Sequence, residues 1–255
     1  MKLRDNVKDR ILILDGAMGT MIQGYNLTEK DFRGNLELLQ MLNYQGNNDM
    51  LNLSRPDIIE DIHRRYLEVG ADIISTNTFS AQRISQADYH MESFSRDIAY
   101  AGAKLARKCA DEYSTADKPR FVAGSIGPTN KTCSMSPDVS DPAKRDLTYD
   151  ALFDAYSEQV AAMIEGGIDA VLIETIFDTL NAKVAIDASL SEMKKVGIDL
   201  PIMLSVTITD LSGRTLSGQT LDAFLTSVSS YPIFSVGLNC SFGAEQMRPY
   251  LKELA

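Results

Sequence analysis

Gly167-Ile168-Asp169-Ala170-Val171-Leu172-Ile173-Glu174 reads, in order, as a helix stop, a turn, a buried strand and a strand end carrying a carboxylate. Glycine reaches the left-handed conformation that closes a helix, and the unbroken apolar run after it suits a strand covered on both faces. The opening phrase recurs as Gly70-Ala71-Asp72 and as Gly197-Ile198-Asp199. Helices alternating with continuous apolar strands predict an α/β fold with a parallel sheet.

Six apolar runs each end in a small polar cluster: Ile11–Asp15, Asp72–Thr76, Phe121–Ile126, Ala170–Glu174, Ile202–Thr207 and Phe234–Cys240. In a parallel barrel the C-terminal strand ends share one rim, where active sites sit. The residues at or just past those ends are Asp15, Asn77, Gly127-Pro128-Thr129-Asn130, Glu174, Thr207 and Thr209, and Asn239 with Cys240. The set holds carboxylates, amides and one thiol, but no Lys and no His. An open doubly wound sheet would give the same alternation. Its dinucleotide fingerprint is absent, since Asp15-Gly16-Ala17-Met18-Gly19-Thr20 has only a G-x-x-G spacing, and a barrel is favoured.

Between the runs, the sequence predicts three regular helices. Ser54-Arg55-Pro56-Asp57 resembles a capping start, followed by a stripe of Ile58, Ile62, Tyr66 and Val69. A second helix carries Ile98, Ala101, Leu105 and Cys109, and a third Leu152, Tyr156, Val160 and Met163. Residues 21–55, rich in Asn, Gln and Gly, break the alternation and read as an insertion after the first strand. No Pro/Ser/Gly-rich linker interrupts the chain, so residues 1–255 are expected to form a single domain.

With 255 residues, 44% of them hydrophobic and 24% charged, the composition is that of an ordinary globular protein. The net charge of −10, with Lys and Arg scattered, argues against nucleic acid or an anionic membrane as partner. The charged N-terminus and the short apolar run after it are expected to hold no signal peptide or spanning segment. Cys109, Cys133 and Cys240 are widely spaced and make no disulfide framework, so a reducing cytoplasm is expected.

The phrase Leu14-Asp15-Gly16-Ala17-Met18-Gly19-Thr20 resembles that of the homocysteine S-methyltransferase family. The likeness continues through Ala71–Phe79, Ala123–Asn130, Ile173–Asp178 and Val236-Gly237-Leu238-Asn239-Cys240, in order and over nearly the whole chain. Gly127-Pro128-Thr129-Asn130 followed by Ser136-Pro137-Asp138 is most similar to the N-terminal homocysteine-binding module of cobalamin-dependent methionine synthase.

The resemblance implies a (β/α)8 TIM-type barrel, here truncated after about six strands, that transfers a methyl group to homocysteine sulfur to give methionine. It implies zinc held by three cysteine thiolates, one matching Cys240 and two forming an adjacent pair near the eighth strand. Residues 1–255 contain no adjacent cysteine pair. Folate- and cobalamin-binding modules, with methyltetrahydrofolate and cobalamin, are implied as partners of the full-length enzyme and not as ligands of this domain.

The chemistry gives these assignments a physical sense. A free thiol has a pKa of about 8.5 and is only slightly ionised at neutral pH, so methyl transfer to sulfur needs help in forming a thiolate. With no His or Lys at the strand ends, a metal is the plausible agent, because a coordinated thiol is deprotonated outright. Three thiolates with an open fourth position is a catalytic zinc arrangement. The resemblance places Asp15 and Glu174 on the amino-acid part of homocysteine, where carboxylates suit its ammonium group. The N–H groups of Gly16, Ala17 and Met18 suit its carboxylate. Asn77 and Asn239, with Thr78, either orient the substrate or cap loops. Cys109 is expected in the core, Cys133 as an incidental loop cysteine, and His63 and His90 in surface or packing roles.

Other readings stay open. A betaine- or S-methylmethionine-dependent homocysteine methyltransferase has the same acceptor half. A truncated, non-catalytic barrel would expose its first and sixth strands as edges and self-associate. An aldolase or isomerase is disfavoured by the lack of a strand-end Lys.

Overall fold

A computed structural model of the chain describes residues 2–36, 41–210 and 212–255. Residues 37–40 of the expected insertion lie outside that set. The chain divides into two compact units, Met1–Ser125 with Glu158–Ala170 and Ile126–Ser157 with Val171–Ala255. The division falls at the end of one strand, inside one helix and at the start of the next strand.

The first unit begins with short helices α1 (Leu3–Asn6), α2 (Met18–Gln23), α3 (Glu29–Arg33) and α4 (Leu51–Ser54), and continues through α5 (Pro56–Glu68) into strand β1 (Ile73–Ser75). Helices α6 (Arg83–Gln86) and α7 (Ser95–Tyr113) follow, then β2 (Phe121–Ile126). Strands β1 and β2 are parallel, with Ile73 opposite Phe121. Helix α8 (Tyr149–Gly166) supplies residues to both units. The second unit contains β3 (Ala170–Ile176), α9 (Thr179–Val196), β4 (Ile202–Val206), α10 (Leu221–Val228), β5 (Ser235–Leu238) and α11 (Ala244–Leu254). Here β4 lies between β3 and β5, parallel to both. The expected α/β architecture with parallel strands is present.

Five of the six expected runs form strands, and the first does not. Of Ile11–Asp15 only Leu14 makes a strand bridge, to Ile73. The reason lies in Asp72. Its carboxylate accepts the Ile13 N–H at 2.9 Å and a bidentate pair from Arg10 at 2.7 and 2.8 Å, so a side chain takes a donor that a neighbouring strand would otherwise use. Ile11 and Ile13 are left 86% and 56% exposed, where a run covered on both faces was expected.

The recurring helix–Gly–x–Asp phrase has a concrete mechanical meaning. Gly70, Gly167 and Gly197 all adopt positive φ, at +112°, +97° and +70°. In the first unit the aspartate two residues later holds the adjacent segment. Asp169 accepts the Val122 N–H of β2 at 2.8 Å and pairs with Arg107 of α7 at 2.7 Å, as Asp72 does with Ile13 and Arg10. Stop, turn and strand registration are thus encoded in three residues.

Helix α5 buries Ile58, Ile59, Ile62, His63 and Leu67, while Val69 of the expected stripe is 85% exposed. Pro56 occupies its first turn, and Ser54 is not its cap, because Ser54 ends α4 and donates to Met50 O. Helix α7 packs on α5 and buries a series of small residues, Ala99, Gly102, Ala103, Ala106 and Ala110, together with Cys109. At the end of α8, Gly166 lies so close to α7 that a Cβ there would stand 2.4 Å from Ala103 Cβ. The insertion is held by buried amides. Asn52 donates to Asn77 O at 2.7 Å and Ile98 O at 3.0 Å, and Asn47 and Gln86 pair through their side chains.

Candidate functional site

In the second unit, chemistry gathers at the C-terminal ends of β3, β4 and β5. The β3–β4 register shifts between Ile173 and Ile176, so Glu174 and Thr175 form a bulge. Thr175 adopts φ +57°, and past the end of β5 Cys240 and Ser241 adopt +61° and +62°. Such conformations are rare outside glycine, rarest for a β-branched residue such as Thr, and they concentrate where a site demands them.

Asn239 ties these ends together. Its N–H donates to Val206 O at 3.0 Å, continuing the β4–β5 ladder. Its Oδ1 accepts the Thr175 N–H at 3.1 Å and the Ser205 hydroxyl at 2.8 Å. Its Nδ2 donates to Thr175 Oγ1 at 2.9 Å and to Cys240 Sγ at 3.1 Å. Cys240 is exposed, and the Phe242 N–H closes back on its carbonyl at 2.7 Å. A strained turn therefore presents a thiol to solvent, with its sulfur hydrogen-bonded to a fixed amide.

Glu174 is partly buried and lines a shallow cleft, open to solvent, together with Gly127, Pro128, Tyr156, Asp178 and Asn181. Tyr156 is buried and donates to Gly127 O at 3.2 Å, and burial pushes its phenol pKa up. Asp178 caps α9 by accepting the Asn181 N–H at 2.9 Å, and it also accepts from Ser134. Asn181 accepts the Cys133 N–H at 2.9 Å and donates to Lys131 O at 3.1 Å, so the start of α9 holds the loop after β2. Cys133 is buried in that loop, and burial, with Asp178 nearby, raises its thiol pKa. Asn239 and Cys240 are not part of the cleft lining.

The first unit carries Asp15, Gly16, Ala17, Met18 and Asn77. Asp15 accepts both the N–H and the hydroxyl of Ser75 at the end of β1, at 2.9 and 2.8 Å. Gly16 lies against Tyr66, whose hydroxyl oxygen would stand 2.9 Å from a Cβ there and which donates to Ala17 O at 3.3 Å. Burial, and then Asp15, raise the Tyr66 pKa. Met18 opens α2. Asn77 is buried, with Nδ2 donating to Asn48 O at 2.8 Å and Asn52 Oδ1 at 3.0 Å, so its amide anchors the insertion.

Cys109 is buried in α7 and its thiol pKa is pushed up to about 11, chiefly by burial. His90 is exposed. His63 is fully buried, and neither imidazole nitrogen has a hydrogen-bond partner among the described residues. Single residues did not point to Thr175, Ser205, Tyr66, Tyr156 or Asn181. Only Asp178-Thr179-Leu180-Asn181, an Asp before a helical run, carried a capping signal that could have marked the loop anchor.

Among the described residues no group of three or more His, Cys, Asp or Glu side chains is placed to hold a metal ion. Cys240 would be one thiolate donor where the implied catalytic centre needs three, so the residues described do not fit a zinc centre. Among the described residues, no helix is long and apolar enough to cross a membrane.

The sequence model of a protein family described as homocysteine S-methyltransferase matches residues 12–255. In three dimensions the chain is similar to the homocysteine methyltransferase MmuM from Escherichia coli. With the metallated form of that enzyme the TM-score is 0.74 at 19% identity, covering 99% of this chain and 83% of the other. With the oxidized form it is 0.74 at 20% identity over 99% and 82%, and with the apo form 0.67 at 21% over 99% and 82%. At such identities the likeness establishes a shared fold.

Proposed function

The chain belongs to the homocysteine S-methyltransferase family, and from that premise we propose that it is the homocysteine-binding, methyl-accepting module of a methionine synthase. The observation that carries the reading is the end of β5, where Gly237-Leu238-Asn239-Cys240 places an exposed, amide-bonded thiol on a strained turn. The helix–strand alternation around it supports a (β/α)8 barrel scaffold.

In this reading Glu174 recognises the ammonium group of homocysteine from the solvent-open cleft. Asp15, with the backbone of Gly16, Ala17 and Met18, is assigned to the same amino acid by the family resemblance. The reaction is a displacement at carbon: homocysteine sulfur supplies the electron pair that forms the new S–CH3 bond, and the donor leaves with the pair of its broken bond. Zinc, which the resemblance implies, would favour the deprotonated form of a coordinated homocysteine thiol. The described residues do not complete a zinc site.

The choice of donor rests on Gly127-Pro128-Thr129-Asn130 and Ser136-Pro137-Asp138, which resemble methionine synthase. The fold likeness to the E. coli homocysteine methyltransferase supports a betaine- or S-methylmethionine-dependent enzyme equally well. The test is calorimetric titration of L-homocysteine into the purified chain and its Glu174→Gln and Cys240→Ser variants, with zinc measured by elemental analysis. Methionine formation from methylcobalamin, S-methylmethionine and betaine is then compared by mass spectrometry. Binding weakened at least tenfold by Glu174→Gln is expected, and any turnover is expected from methylcobalamin alone and only in chain that carries zinc. Turnover from S-methylmethionine or betaine would replace the methionine synthase reading, and the absence of homocysteine binding would end both.

A further inference from the structure

We propose that Thr175 is a positioning residue: from the β3 bulge it fixes the orientation of the Asn239 side-chain amide and, through it, the sulfur of Cys240. The proposal rests on the reading of Cys240 as part of the homocysteine site. It concerns a residue two strands away in the sheet.

The argument is one of donors and acceptors. The Thr175 backbone N–H can only donate, and it faces Asn239 Oδ1 at 3.1 Å. If the amide were turned over, that N–H would face an NH2 group and lose its acceptor. The hydroxyls of Ser205 and Thr175 could reverse their own roles to follow such a turn, but the backbone N–H could not. With Oδ1 pinned, the two hydrogens of Nδ2 are directed to Thr175 Oγ1 at 2.9 Å and Cys240 Sγ at 3.1 Å. Every polar atom of the amide is then assigned, and the side of Asn239 that meets the sulfur is always a donor.

The backbone explains why a threonine does this. An N–H inside a regular strand is directed at the neighbouring strand's carbonyl, whereas the bulge and φ of +57° bring the Thr175 N–H to the Asn239 side chain just past β5. A β-branched residue in that region is strained and persists only where its surroundings over-determine it. Here the surroundings are the two reciprocal bonds with Asn239. Glycine would adopt the backbone freely but has no Oγ1, while valine keeps the shape and the N–H but not the acceptor.

The experiment measures alkylation of Cys240 by iodoacetamide at one fixed pH in the full chain, with peptide mapping by mass spectrometry. Cys109 and Cys133 are buried, so the native reaction reads Cys240. Thr175→Val, which keeps the backbone N–H but removes the Oγ1 acceptor of Asn239 Nδ2, is expected to react about fivefold faster, the size expected when one net hydrogen bond holding the amide beside the sulfur is lost. Thr175→Ser, which keeps both groups, is expected within about twofold of the parent rate. Because Thr175 acts through Asn239, the Thr175→Val, Asn239→Ala double variant is expected to match Asn239→Ala alone. A Thr175→Val rate equal to the parent's, or a further acceleration in the Asn239→Ala background, overturns the proposal. Homocysteine titration of the parent chain separates the two readings. Non-additive alkylation without homocysteine binding upholds the positioning role and removes the substrate reading, and binding with additive alkylation does the reverse.

Discussion

Thr175 and Asn239 exchange two hydrogen bonds, N–H to Oδ1 at 3.1 Å and Nδ2 to Oγ1 at 2.9 Å, with Thr175 held at φ +57°. The pair couples strain to satisfaction, and the two contributions can be separated by substitution. Thr175→Gly relieves about 1–3 kcal/mol of backbone strain, against about 1 kcal/mol for glycine entropy and about 1 kcal/mol for the lost bond. Its net change in stability is therefore expected to lie within about 1 kcal/mol of zero. Thr175→Val keeps the strain and loses the bond, so it is expected to cost about 1 kcal/mol. Urea midpoints of the two variants check the order, and a Gly variant less stable than the Val variant would remove the strain argument.

Two buried groups of the first unit give opposing pH dependences. Burial lowers the His63 pKa from 6.5 to about 4, with Glu60 acting weakly against it. Between those values the unfolded chain binds the proton and the folded chain does not, so the contribution to stability rises with pH and is lost on acidification. Burial raises the Asp49 pKa from 3.8 to about 7, partly offset by the Ser80 N–H donating to Asp49 Oδ1 at 2.8 Å. Here the folded chain holds the extra proton, so stability is lost as pH rises through 7. The contributions are on the order of 3 kcal/mol for His63 and 4 kcal/mol for Asp49. In the parent chain they oppose each other across the shared window. Asp49→Asn is expected to show stability rising with pH there, and His63→Met stability falling, in urea titrations at several pH values. Parallel slopes in the two variants would refute the assignment.

Gly166→Ala is expected to destabilise the chain although alanine favours helices. The added Cβ would stand 2.4 Å from Ala103 Cβ and 3.1 Å from the Tyr100 carbonyl oxygen. Overpacking costs about 1–3 kcal/mol, against a propensity gain of about 1 kcal/mol. Calorimetry should show a lower melting temperature, with partial recovery when Ala103→Gly is added. No recovery would place the cost elsewhere.

Asp169 accepts from Val122 N–H and from Arg107 at once. Asp169→Ala removes both contacts and is expected to cost about 2 kcal/mol, while Asp169→Asn keeps an acceptor for the Val122 N–H and costs less. Hydrogen exchange at the Val122 amide distinguishes them: faster exchange is expected in the alanine variant and near-parent exchange in the asparagine variant. Equal exchange in both would deny Asp169 its role in registering β2.

Much of this was legible because it is local. A helix stop at Gly167 needs only the backbone freedom of glycine, and a buried strand at Ala170–Ile176 needs only an unbroken apolar run, so the α/β alternation follows from neighbours in sequence. The family phrases around Asp15, Glu174 and Asn239-Cys240 were equally visible. Ile11–Asp15 was misread as a full strand because its apolar pattern says nothing about Asp72, a residue 59 positions from Ile13 whose carboxylate takes the Ile13 N–H. His63 fell between the expected apolar positions of α5, yet α5 turns it inward and buries it completely.

By itself, then, the sequence determined the alternation of helix and strand, five of the strand segments, and which residue types stand at the strand ends. Only the tertiary structure decided what those residues touch. Asn77 spends its amide on Asn48 and Asn52, Cys133 is folded under the start of α9, and Thr175 meets Asn239 across the sheet. The physical reason is that periodicity and propensity are set by covalent neighbours, whereas a hydrogen bond to a residue 64 positions away depends on register, a bulge and a strained φ that no local pattern specifies.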